Sequence, residues 1–480
     1  MERVIKRKSN FQKLNIQKIS QDRQEFAVEL RKSKRKDLLQ KYRFPSIPTS
    51  DTVMGIPESF QSNSYEAFNL DPFTLIQALH NSECILDYTS ILQKISIQIS
   101  DNQILIEEYV KLGLIEIIIP HINLHDNLIL KNITYLIICS ISSDSSYCYR
   151  QLFKYDIISL IFYELETKNS EVFNTLFLIL GNFMAESSDA FQLILDKNFF
   201  LVALKCVMKN KNSEILKVVS WSLKNATFYD YLIENEHLDT FIKLAFEILE
   251  YDSFEIKSFI LQSITRLIRR DNKKIDFIIH SQFLFRVFEL WHLKPLCNDI
   301  LKLCANVCSG KNTHIQVLID LGYLNLLEEF LRSESNNDEI FFVFFSLSNI
   351  ASGSFSQINS LEKHTIFEMS LDGIFCLDER IQSEATYYVR NYTVKGKREE
   401  VEKLFSKHFL KKITQGFKFA KSDDAVMNLL KAYEMIARVA DKSALLAEDC
   451  QYVLYSLQKN SNADIHRKSN EILEKYYSLI

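Results

Sequence analysis

The feature that most constrains this chain is a five-residue pattern that returns every forty-odd residues. Trp221-Ser-Leu-Lys-Asn225, Phe345-Ser-Leu-Ser-Asn349 and Tyr387-Tyr-Val-Arg-Asn391 place an aromatic residue four positions before an Asn, and Leu178-Ile-Leu-Gly-Asn182 and Lys302-Leu-Cys-Ala-Asn306 fit the same frame. Degenerate copies lie at Leu136–Ser140 and Gln262–Arg266. The fifth positions are 140, 182, 225, 266, 306, 349 and 391, which makes the spacing nearly constant. Residues four apart are neighbours on one helix face, so each copy reads as one stretch of helix surface presented again and again. Composition agrees: the 480 residues hold 9 Gly and 6 Pro, where average usage gives roughly 34 and 24. So few turn formers argue against a β-sandwich, a β-barrel or a Gly-rich nucleotide-binding fold, and favour helices joined by short connections.

A helical period of this length is the signature of armadillo and HEAT repeats. Each copy is followed by a second element of matching kind: Phe191–Asp196 after Asn182, Ile275–His280 after Arg266, and Ile315–Asp320 after Asn306, the last leading through Gly322 into another apolar helix. Gly310 and Gly353 lie four residues past their Asn, where a helix C-cap would use them. Such units cannot bury their apolar faces alone, so an all-α solenoid of about ten stacked repeats with a concave groove is expected over 71–480.

Charge is unevenly spread. Net charge is −4, yet residues 1–43 hold 14 Lys/Arg against 5 Asp/Glu, leaving 43 basic and 56 acidic residues beyond them. A basic arm on an acidic body implies two oppositely charged partners, or an arm that folds back on its own body. Pro45, Pro48 and Pro57 mark 44–70 as a flexible linker. Charges through the first eight residues argue against a secretory signal, and apolar runs such as Leu176–Leu180 and Ile340–Phe345 are too short to span a bilayer. Nine scattered cysteines argue for a reducing compartment.

The repeated Asn would form a ladder of donors and acceptors along the groove, able to hold the backbone of an extended peptide without reading its sequence. Aromatics one turn earlier would make slots for Lys or Arg stems, and acidic residues beside them would select positive charge. The competing reading buries each aromatic in the core, as most helix aromatics are. An apolar core has no use for an unpaired carboxamide in every period, which favours the ladder for the set.

Trp-x-x-x-Asn on such repeats resembles importin-α, the adaptor that binds nuclear localisation signals, and the resemblance spans nearly the whole chain. The segment Arg23–Asp37, with Val28-Glu-Leu-Arg-Lys32 at its centre, resembles that family's importin-β-binding segment, and 465–480 resembles its last helix. The resemblance implies a right-handed superhelical solenoid with a basic N-terminal arm. It assigns importin-β binding to Arg23, Val28, Glu29, Leu30, Arg31, Lys32, Lys34, Arg35 and Lys36. Signal binding falls to Asn182, Glu186, Trp221, Asn225, Asn306, Phe345, Asn349, Glu384, Tyr387 and Asn391. The implied partners are importin-β, cargo proteins with basic signals and the export receptor that recycles importin-α, with shuttling between cytoplasm and nucleus. No nucleic acid, cofactor or membrane span is implied. On its own terms the arm reads as a helix over about 23–43: Asp22 and Glu25 form a capping box, Pro45 stops it, and its cations cover every side.

Departures from the family pattern concentrate in the upstream site. Leu136 and Leu178 stand where Trp is usual, Ser140 replaces one Asn, Glu186 replaces an Asp, and Arg266 puts a cation on the fifth repeat. Downstream, Phe345/Asn349, Tyr387/Asn391 and Glu384 fit, and Lys302 parallels a family Arg, so basic signals are expected to lean on that half. Lys41-Tyr42-Arg43 interrupts the cluster with which the family occupies its own groove. Cys304 and Cys308, with Cys297 and His292 upstream, are expected to be groove-helix residues and not a zinc site, and His121 and His125 to lie on the surface near a helix start after Pro120. No phosphate loop or nucleophile–base pairing is legible, so no catalytic role is expected. The alternative is a non-transport armadillo scaffold of the cytoskeletal or adhesion type, which would have no need of the importin-β segment.

Overall fold

The computed structural model describes residues 70–477 apart from 103, 125–126, 167–169, 270, 363–365, 396–406, 440–444 and 446–449. The basic arm, its helix over 23–43, the linker up to 69 and His125 lie outside the described residues. Among the described residues all regular structure is helical, and the chain divides into two units, Met1–Ser263 and Ile264–Ile480.

Every copy of the repeated pattern falls on one long helix. These helices, of 14 to 17 residues, are α1 (Ile85–Asp101), α2 (Leu128–Ser142), α3 (Phe173–Glu186), α4 (Ser213–Ala226), α5 (Phe254–Leu267), α6 (Lys294–Cys308), α7 (Asn337–Ile350), α8 (Glu379–Lys395), α9 (Asp423–Ala437) and α10 (Ala463–Tyr476). Their starts follow from local sequence. Asn127, Asn212 and Asn462 each accept the amide two residues on, Ser422 Oγ accepts from Ala425 N at 3.2 Å, and Asn336 with Glu339 forms a capping box. A cap of this kind contributes ~1 kcal/mol. In the first unit α1 packs on α2, α2 on α3 and α3 on α4; in the second, α6 through α10 pack in the same consecutive way.

Between most of these helices run two shorter ones, for example Ser188–Asp196 and Phe199–Lys209 before α4, or Asn312–Asp320 and Tyr323–Arg332 before α7, whereas the helix before α5, Asn235–Leu249, has 15 residues. Their apolar faces fill the core with Phe191, Phe199, Phe200, Leu324 and Leu327, all buried, each worth about 1.5–3 kcal/mol relative to exposure. One left-handed residue makes the sharp turn between the short helices: Gly113, Asn198, Gln282 and Gly322, with φ of 87°, 57°, 63° and 87°. The same backbone demand is thus met by Gly twice, by Asn once, and once by a Gln that is strained there.

Gly310 and Gly353 do a different job from the expected C-cap. Neither is left-handed. A Cβ on Gly310 would run into His314 Nδ1, and one on Gly353 into Gln357 Oε1. The glycines clear space for the side chain that caps the next short helix. His314 Nδ1 accepts the Lys311 amide at 3.1 Å, and Gln357 Oε1 accepts the Ser354 amide at 2.9 Å. The far end of each side chain then reaches one repeat back. His314 Nε2 meets Asp276 Oδ1 at 2.6 Å, and Gln357 Nε2 donates to Asn312 O at 2.6 Å. Hydrogen bonds from Lys311 and His314 hold the Asp276 carboxyl below its usual pKa. That carboxylate therefore stabilises the fold above the ordinary carboxylate range and loses its contribution only as pH falls through its lowered pKa.

The helix expected to start after Pro120 instead contains it: Pro120 lies within Leu114–Leu124, and His121 is half-buried with its ring 4.3 Å from that of Tyr88. Because a shared turn sets the left-handed position, exchanging residues between repeats should have opposite effects. Gln282→Gly is expected to raise the unfolding free energy by ~1 kcal/mol and Gly322→Gln to lower it by a similar amount, both read by urea denaturation.

Candidate functional site

Helical spacing puts the aromatic position and the Asn four residues later in one stripe on one face of each long helix. The residue four further on is the last of α3 and of α8, and lies just past the end of α2, α4, α6 and α7. In the first unit the three positions read Leu136, Ser140, Asp144; Leu178, Asn182, Glu186; and Trp221, Asn225, Tyr229. In the second they read Lys302, Asn306, Gly310; Phe345, Asn349, Gly353; and Tyr387, Asn391, Lys395.

In the first unit the Asn residues are tied into the stack. Asn182 and Asn225 are 3% and 4% exposed. Asn182 Nδ2 donates to Ser142 Oγ at 2.9 Å, and Asn225 Nδ2 donates to Gly181 O at 3.0 Å. Each carboxamide thus bridges to the preceding long helix, which answers the objection that an unpaired carboxamide has no place in a core. Trp221 is 2% exposed, so its ring is a core residue and not an open slot. It lies over Gly181, where any Cβ would overlap the indole, and Ser222 Oγ donates to Phe177 O at 2.9 Å across the same contact. The glycine inside α3 is there because α4 comes this close.

Two of the three ladder positions of this unit are followed by a carboxylate. Glu186 is half-buried at the end of α3 and accepts a hydrogen bond from Ser146 Oγ at 2.9 Å. Asp144 occupies the corresponding place beyond α2, also half-buried, with Cys148 Sγ donating to its Oδ2 at 3.5 Å. The family resemblance does not point to Asp144. The repeat does, since Asp144 stands four residues after Ser140 as Glu186 does after Asn182.

The second unit keeps more of its ladder at the surface. Asn306, Asn349 and Asn391 are half-buried, as are Phe345 and Tyr387. Asn306 donates to Lys302 O at 2.9 Å and Asn349 to Phe345 O at 2.8 Å, each within its own helix, whereas Asn391 donates to Ser348 O of α7 at 3.0 Å. Glu384, expected beside the slots, is 7% exposed and lies between α7 and α8, accepting from Ser348 Oγ at 2.7 Å. Aromatic faces on α7 already carry the protein's own cations. The Arg380 guanidinium is 5.4 Å from the Phe341 ring centroid, and Lys302 Nζ is 5.8 Å from that of Phe342. Arg380 is also paired with Asp378 at 2.7 Å and Asp338 at 3.0 Å.

Cys304 and Cys308 face the core of α6, and burial pushes both thiols well up from their usual pKa. Cys297 Sγ donates to Trp291 O at 2.9 Å. These thiols are protonated, packed side chains. Among the described residues no helix is long and apolar enough to cross a membrane.

No family model matches the chain, and no curated protein matches it. Solved structures do. An engineered protein is similar over 84% of this chain and 98% of its own length, with a TM-score of 0.72 at 16% identity. A structure from work on a phosphorylation switch controlling the interaction between cadherin and β-catenin is similar over 84% of this chain and 85% of its own, with a TM-score of 0.66 at 10% identity. A designed armadillo repeat protein aligns with 47% of this chain and 95% of its own, with a TM-score of 0.43 at 21% identity. The fold is an all-α stack of armadillo repeats.

Burial of Trp221 gives a sharp expectation. Trp221→Ala should lower stability by ~3–5 kcal/mol. Gly181→Ala should lower it by ~1–3 kcal/mol through overpacking, although Ala is the better helix former. Thermal melts of both variants check this. A Trp221→Ala protein that melts like the parent would return the indole to the surface.

Proposed function

We propose that this chain is an import adaptor of the importin-α kind, in which the basic arm binds an importin-β carrier and the repeat stack holds an extended segment of the carried protein. The observation that carries this reading is the pairing of two features in one chain: the Val28-Glu-Leu-Arg-Lys32 core within a strongly basic arm, and a stack of armadillo repeats with Asn at a common ladder position. A scaffold needs only the second.

The acidic third positions support a basic signal at the first unit. Asp144 and Glu186 follow adjacent ladder positions, one repeat apart, where the stems of alternate Lys residues on one face of an extended peptide would end. The buried Trp221 leaves that site dependent on carboxylates more than on aromatic slots. Salt should therefore weaken signal binding strongly.

Binding of importin-β should rest on the arm and be electrostatic. Reversing the charges of Arg31, Lys32, Lys34 and Arg35 together is expected to abolish capture by importin-β, at ~1.5–3 kcal/mol for each charge-assisted hydrogen bond removed. The measurement is a pull-down of the full chain and of the charge-reversed chain by purified importin-β. Equal capture of both removes the adaptor reading. A chain that binds peptides but is captured in neither form is a scaffold.

A further inference from the structure

The charged residues four beyond the ladder position differ in sign between the units: Asp144 and Glu186 in the first, Lys395 in the second, the others being Tyr229, Gly310 and Gly353. Lys395 Nζ donates to Gly353 O at 3.3 Å and to Ser352 O, just beyond the end of α7, and burial lowers its pKa. Lys302 takes the aromatic position of the α6 stripe, with its ammonium over Phe342. Among the described residues neither lysine meets a carboxylate, whereas Arg380 is already flanked by Asp338 and Asp378. Glu384, on α8 itself, is turned into the packing between α7 and α8 and accepts from Ser348.

Three consequences follow for anything lying along this face. A Lys or Arg stem finds the half-buried Phe342 already covered by Lys302, and its charge would add to those of Lys302 and Lys395. Carboxylates, by contrast, would pair with both lysines, and a partly dehydrated ammonium gains most from one. Asn306, Asn349 and Asn391 remain half-buried between the two cations, where carboxamides can meet a peptide backbone of any sequence.

We propose that the ladder face of the second unit takes an extended acidic peptide segment, held by Lys302 and Lys395 at its carboxylates and by the Asn residues along its backbone. This rests on the reading that the stack holds extended peptides, and departs from it in the charge selected. A carried protein would then be recognised by a basic stretch at the first unit and an acidic one at the second.

The test uses the full chain and two labelled peptides of equal length, one alternating Glu with Ser and one alternating Lys with Ser, followed by fluorescence anisotropy. Lys302→Met and Lys395→Met keep the apolar stems and remove the charges. Together they are expected to weaken the acidic peptide by about a hundredfold, tenfold per charge, while the basic peptide binds as before or more tightly. Asp144→Asn with Glu186→Gln should weaken only the basic peptide. Failure of the acidic peptide to bind, or equal binding to the double Met variant, overturns the proposal. So does a double variant that melts lower yet keeps its acidic affinity, which would make Lys302 a cover for Phe342 and Lys395 a helix cap only. If the acidic peptide behaves as expected but the basic one binds nowhere, the signal-adaptor reading fails and this proposal stands.

Discussion

The structure depends on side chains that reach one repeat back to bond the backbone or a hydroxyl of the neighbouring helix. Asn182 to Ser142, Asn225 to Gly181, Ser222 to Phe177, Gln357 to Asn312 and Asn391 to Ser348 are each 40 to 45 residues apart. A three-helix unit has too little interior to bury its apolar faces alone, so its stability comes from its neighbours. Apolar packing supplies most of that and tolerates sliding. A buried donor must find its acceptor, and this fixes the register at which one long helix lies on the next.

The same constraint shapes the candidate sites. A side chain committed to the neighbouring helix is not available to a ligand, and the two units divide that choice differently. In the first, Asn182, Asn225 and Trp221 are drawn into the stack, and the outward chemistry is left to the carboxylates of Asp144 and Glu186. In the second, Asn306 and Asn349 bond within their own helices and stay half-buried, while Glu384 is the group drawn inward. One repeated pattern therefore yields two faces of opposite character. The difference comes from the neighbours of the pattern: Gly181 lets α4 close onto α3, whereas the Phe-rich α7 keeps the aromatic side open to Arg380 and Lys302.

Function rests on two features of unequal standing. On the proposed reading, the arm carries a short, dense cationic motif whose recognition chemistry would belong to an acidic partner. The repeat stack is a fold shared by proteins of many uses, and on it only specific side chains can distinguish one ligand from another.

The period, the all-helical fold and the long helices were legible in the sequence, because each is set by local spacing and by the scarcity of turn-forming residues. Asn and an aromatic four apart must share a helix face wherever they occur. The direction in which those side chains point was not legible. Trp221 is buried because Gly181, one repeat earlier, has no Cβ. Phe341 is covered because Arg380, about one repeat later, stacks on it. Gly310 is a clearance for His314 and not a cap. Local sequence determines which residues share a stripe, while only tertiary packing decides whether a stripe faces the neighbouring repeat or the solvent, because that depends on residues a whole period away.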